Sequence, residues 1–136
     1  PTLKEWELAA YTEFRPNNKD GYKFKKSYPY PTGENTLGLN CLNDCNFNYP
    51  SKYSKLLLRG YGHVSTFLTK KGINGLYDMG GNVWEWVDIK DNSYKGTKGG
   101  SWWYGKNQMI RGYTATKPKN MSVVYIGFRC VKDFKN

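Results

Sequence analysis

Histidine is almost missing from this chain: His63 is the only one in 136 residues, too few to build a histidine-rich metal centre. Cysteine is scarce too. Cys41, Cys45 and Cys130 show no Cys-x-x-Cys or Cys/His spacing, which argues against a zinc site. Cys41 and Cys45 are close enough to bridge across a short loop if the compartment is oxidising, and the compartment stays open; Cys130 reads as a buried thiol. No apolar run reaches membrane-spanning length, and the mean hydropathy of -0.78 agrees. No signal-peptide pattern and no internal repeat is visible. Acidic residues number 11 against 21 lysines and arginines, a net charge of +10. That excess favours nucleic acid, anionic glycans or acidic surfaces, yet the lysines are scattered, as on a plain lysine-rich surface, and nucleic acid is not the expected partner.

What the chain does have is aromatic side chains: 12 Tyr, 6 Phe and 5 Trp, or 17%. That content argues against disorder, and the length suits one domain with a single modest core. The densest stretch is Gly75 to Trp86, Gly-Leu-Tyr-Asp-Met-Gly-Gly-Asn-Val-Trp-Glu-Trp. Gly80 and Gly81 beside Asp78 and Asn82 predict a turn that uses left-handed backbone. Val83 to Val87 then reads as a short strand with Trp84 and Trp86 on one face and Val83, Glu85 and Val87 on the other. Two indoles on one face require a core. Glu85 must meet water, a cation or a donor, because a buried unpaired carboxylate is costly.

Elsewhere, Thr2 followed by Glu5 predicts a capping box and a helix to about Thr12, with Leu3, Trp6 and Ala9 or Ala10 on the packed face. Residues 15–30 read as an exposed loop in which Tyr22, Phe24, Tyr28 and Tyr30 interleave with lysines. Ser51 predicts a short helix to Leu58, stopped by Gly60. Residues 88–97 read as a surface loop, and 98–103 as a return to the core with one of Trp102 and Trp103 inward and the other at a cleft wall. Residues 111–120 look irregular, and Val123 to Val131 look like a final strand.

Four segments together carry a resemblance. Pro1-Thr2-Leu3-Lys4-Glu5-Trp6-Glu7, the Gly75–Trp86 stretch, Lys98-Gly99-Gly100-Ser101-Trp102 and Ile126-Gly127-Phe128-Arg129 are similar, in order, to the motifs of the formylglycine-generating enzyme / sulfatase-modifying factor domain family. The resemblance implies an α+β, C-type-lectin-like fold, loop-rich, with short twisted strands and few helices. It covers residues 1–136. Because the family domain begins upstream of the Pro-Thr segment, it also implies that this is the C-terminal portion of a longer domain.

The implied chemistry departs from the family at specific positions. The active enzymes oxidise a substrate cysteine with O₂ at a copper held by two cysteines, and those two places fall on Tyr104 and Met109. Cu(I) prefers thiolates; a phenol is a hard donor, and one thioether does not make a two-sulfur site, so copper is not expected. A first calcium position falls on Asn46, Phe47 and the Arg59-Gly60-Tyr61 segment, where an arginine replaces a ligand carboxylate and argues against the ion. A second falls on Asp78, Gly81, Val83 and Glu85, an oxygen set suited to a structural Ca²⁺. The alternative there is that Asp78 caps the turn while Glu85 pairs with an arginine such as Arg129.

Trp102, Trp103, Tyr104, Gln108, Met109, Arg111 and Tyr113 would line or neighbour the former catalytic groove. Aromatics with one cation suit a protein, peptide or glycan ligand, unless they simply fill the space. The sequence therefore points to a non-catalytic, calcium-stabilised ligand-binding or protein-interaction module. The alternative is a metal-dependent oxidoreductase of the same family acting on a cysteine or other thiol.

Overall fold

The computed structural model describes residues 1–47, 60 and 62–132. The expected helix at Ser51 to Leu58, and Arg59 and Tyr61, lie outside the described residues. Among those described there is one α-helix, α1 (Leu3–Tyr11). It starts where the capping pair dictates: Thr2 Oγ1 accepts from the Glu5 N–H at 3.3 Å, and the Thr2 N–H donates to Glu5 Oε2 at 2.7 Å. Trp6, Ala10 and Tyr11 are buried, and with Met79 and Val87 they form one core cluster. Leu3 and Ala9 pack on its flank, so the packed face of the helix is the one its spacing predicts.

Four short strands make one sheet: β1 (Trp84–Val87), β2 (Tyr94–Lys98), β3 (Ala115–Pro118) and β4 (Ile126–Gly127), in the order β3-β2-β1-β4. β2 is antiparallel to both neighbours, with Trp86 opposite Thr97 and Gly96 opposite Thr116. β4 runs parallel to β1, with Glu85 opposite Gly127. The rest of the described chain is turns, bends and two short 3₁₀ turns, Ile73–Gly75 and Lys106–Gln108. This is the α+β, loop-rich architecture with short strands that the sequence leads one to expect.

Several local expectations are corrected. Residues 88–97 are not all surface loop: 94–97 belong to β2, and Gly96 and Thr97 are buried. Within 111–120, β3 forms on the sheet edge, where Pro118, opposite Tyr94 of β2, has no strand on its outer side among the described residues. The final strand shrinks to Ile126–Gly127, because the Ile126 N–H turns back to the Val123 carbonyl at 3.3 Å. The chain leaves the sheet after Gly127, so Cys130 is exposed rather than buried. Cys41 and Cys45 form a disulfide. With Leu39 and Met109 they make a second core cluster.

The two glycine motifs interlock. The Gly81 N–H donates to the Gly99 carbonyl at 2.8 Å. Gly81 has φ +72°, and a Cβ there would lie 2.4 Å from the Asn40 carbonyl oxygen, so only glycine fits. Gly99, at φ +90°, leaves room for the Trp6 ring, whose nearest atom would be 3.2 Å from an added Cβ. Asn82 closes the turn: its side chain accepts from the Val64 N–H at 2.9 Å and donates to the Val64 carbonyl at 3.1 Å.

Candidate functional site

β1 is paired on both edges, and side chains on both of its faces are buried. Trp84, Glu85 and Val87 are buried, and Trp86 is half-buried. A buried Glu85 needs donors, and two other motifs supply them. Trp6 Nε1 donates to Glu85 Oε2 at 2.7 Å. Arg129 grips the same carboxylate with two bonds, Nε to Oε2 and Nη2 to Oε1, each 2.6 Å, and also donates to the Tyr77 carbonyl at 2.9 Å. A paired, fully bonded buried carboxylate is tolerable where a lone one is not. The signature residues Trp6, Glu85 and Arg129 thus meet in one structural knot, and the Glu85–Arg129 pair anticipated from sequence as the alternative to calcium is formed.

Lys98 of the Lys-Gly-Gly-Ser motif lies beneath the same helix. It is fully buried, donates to Glu7 Oε1 at 2.9 Å and to the Tyr113 carbonyl, and packs over the Trp6 and Tyr11 rings. Burial pulls its ammonium below its ordinary value, and Glu7 pulls it back up.

The four residues expected around calcium are therefore unequally placed. Glu85 commits both oxygens to Arg129 and Trp6. Asp78 Oδ1 accepts from Thr69 Oγ1 at 2.7 Å, while Asp78 Oδ2 is buried with no hydrogen-bond partner among the described residues. Burial raises the Asp78 carboxyl above its usual range, Thr69 and Arg129 oppose that rise, and Glu85 adds to it. Gly81 and Val83 are the residues whose carbonyls complete the expected set. Among the described residues, no three His, Cys, Asp or Glu side chains converge as a metal group. The set fits Ca²⁺ in part: one orphaned carboxylate oxygen suits a cation, and a guanidinium holds the other carboxylate.

The copper positions do not fit copper. Met109 is fully buried against Leu39 and the Cys41–Cys45 disulfide, and its carbonyl accepts from Tyr11 Oη at 2.8 Å. Tyr104 is half-buried among aromatic rings. A phenol and a core thioether offer no thiolate pair. Cys130, the one cysteine outside the disulfide, follows β4, away from both positions in the chain.

Of the expected groove residues, Trp102 and Met109 are fully buried, so they support the surface from beneath instead of lining it. Trp103, Tyr104 and Gln108 are half-buried, and Arg111 and Tyr113 are exposed, with the Arg111 N–H on the Pro29 carbonyl at 2.8 Å. The rings form a continuous run. Trp103 lies 5.6 Å from Tyr125, Tyr125 lies 5.7 Å from Tyr104, and Tyr104 lies 5.4 Å from Trp84. Tyr113 tilts against Trp84 at 6.3 Å. Lys117 Nζ stands 5.8 Å from both the Trp84 and Tyr104 ring centres. The Trp84 and Trp102 indole N–H groups are buried and have no partner among the described residues. Trp84, Lys117 and Tyr125 were not among the expected groove residues; their strand-to-strand juxtaposition is invisible in linear spacing. A cavity of about 260 Å³, lined by Cys41, Leu42, Asn43 and Gly60, adjoins the segment, with the Leu42 N–H on the Tyr104 carbonyl.

Comparison with known proteins agrees with this geometry. Residues 1–134 match the sulfatase-modifying factor enzyme 1-like domain family. A search of curated protein sequences gives no match. The crystal structure of CarF is similar in fold, with 24% identity and a TM-score of 0.61 over 94% of this chain and 44% of that one. Treponema denticola variable protein 1 is similar at 22% identity and a TM-score of 0.57, over 94% of this chain and 45% of that one. The chain spans less than half the length of either structure. With the family's four motifs in order, three of them joined at Glu85, this chain belongs to the formylglycine-generating enzyme / sulfatase-modifying factor domain family.

Proposed function

We propose that this domain is a non-catalytic binding module that presents the Trp103, Tyr125 and Tyr104 rings, backed by the buried Trp84 and with Lys117 beside them, to a peptide or glycan ligand. The observation that supports it best is the ring run itself. Flat apolar faces joined to a cation match ligands that stack and also carry hydrogen-bond acceptors. The donor chemistry at Tyr104 and Met109 gives no support to copper-dependent oxidation. Glycan and peptide arrays probed with the parent and with Trp103→Ala test the reading. Binding that drops about tenfold in the variant is expected, since losing one stacked ring removes about 1.4 kcal/mol. Blank arrays for both proteins would sink it.

Calcium enters the proposal as a stabiliser. Asp78 Oδ2 supports a cation beside the turn, and Glu85 would have to exchange Arg129 for it. An ion that binds only the folded chain adds about 2.7 kcal/mol at a hundredfold excess over its dissociation constant, so Tm should rise in Ca²⁺ relative to chelator. Equal melting in the two buffers would remove calcium from the account and leave the ring run untouched.

A further inference from the structure

We infer a second binding site, for a small aromatic anion, at the far end of β1 from the ring run. A cavity of about 350 Å³ opens where β1 ends, beside Pro1 and Val87, with the side chains of Trp86, Asp88, Lys95, Lys119, Phe128 and Arg129 around it. That volume lies at the lower end of small-molecule sites and suits a one- or two-ring body. The site does not depend on the groove reading, because it shares none of that surface's residues.

Two observations set the ligand class. Phe128 is 73% exposed, a ring left in water at the edge of a concavity that the half-buried Trp86 also lines. A flat apolar ligand would cover both rings. The polar lining carries three cations against one carboxylate. Arg129 is turned inward onto Glu85, and Lys95 is held by Asp88 at 2.8 Å in an exposed, solvent-screened pair. Lys119 has no ion pair among the described residues, and its backbone N–H on the Ser93 carbonyl fixes its base. Its ammonium is the charge available to an incoming carboxylate or sulfonate, and the two rings take the hydrophobic part.

The probe is 2-naphthoate, titrated into the isotope-labelled chain and followed by amide chemical shifts, with neutral 2-naphthamide as the charge control. The expected result is saturable shifts at Val87, Asp88 and Phe128, with the amide binding about fivefold more weakly. Lys119→Ala should weaken 2-naphthoate by about threefold and leave 2-naphthamide unchanged, and Phe128→Ala should weaken both by about fivefold. Both side chains are exposed, so neither change threatens the fold. Lys23→Ala, which removes the same charge from the 15–30 loop, should bind 2-naphthoate as the parent does. No shift at those amides up to about 5 mM, or equal loss in Lys23→Ala and Lys119→Ala, overturns the site.

Discussion

Asp78 shows how one side chain can carry two opposite readings. Its Oδ1 is bonded to Thr69, and its Oδ2 is buried with no partner among the described residues. Burial raises its pKa above the ordinary 3.8, so the folded chain holds this proton more tightly than the unfolded one. The sign follows directly. The penalty for ionising Asp78 grows as pH rises from about 3.8 through the folded-state value, and it is fully present above that. In chelator, Asp78→Asn should therefore flatten the fall in stability across that acid window. At neutral pH it should raise stability by about 1 kcal/mol, the scale of an unsatisfied buried polar atom. Asparagine also tolerates the left-handed φ of 57° found here. Denaturant melts of the two proteins between pH 4 and pH 7.5 decide it; a variant less stable than its parent throughout would mean that the carboxylate has a partner after all.

At the scale of elements, legibility in the sequence follows how local each cause is. α1 was readable because its cap, its acid at the third position and its apolar spacing all lie within nine residues of chain. Thr2→Ala should cost about 1 kcal/mol in a denaturant melt, the usual worth of such a cap. No loss would mean that Trp6 and Ala10 hold the helix without it. β1 was readable from its β-formers, yet its two-faced burial was not, because that depends on α1 and β4 arriving from either end of the chain. β2 and β3 were missed for a related reason. Tyr94-Lys95-Gly96-Thr97-Lys98 looks like a polar loop until Val87 and Ile89 press on Gly96, where an added Cβ would lie 2.7 Å from Ile89. β3 ends in Pro118, a residue that reads as a breaker unless the strand is known to be at an edge. β4 and Cys130 erred the other way: a strong apolar run predicted more strand than the turn at Val123 allows.

For the whole molecule, the family motifs report on the scaffold, and the surface departs from it. Trp6, Glu85, Arg129, Gly81 and Gly99 bind the helix, the sheet and the glycine turns into one body, which is why those residues were recognisable in linear order. The ring run drew on Trp84, Lys117 and Tyr125 from three separated segments, so only part of it was legible beforehand. Function is carried by such sites, and a shared fold does not supply it. The central proposal is that the scaffold keeps its internal knot while Tyr104 and Met109, where the resemblance puts the copper thiolates, hold no copper. A Cu(I) titration without thiol reductant, with a chromophoric Cu(I) chelator in competition, tests it most directly. The account predicts that the chelator keeps the metal and that a cysteine-containing peptide draws no O₂ uptake. One Cu(I) retained per chain, with O₂ consumed as the peptide thiol is oxidised, would contradict it.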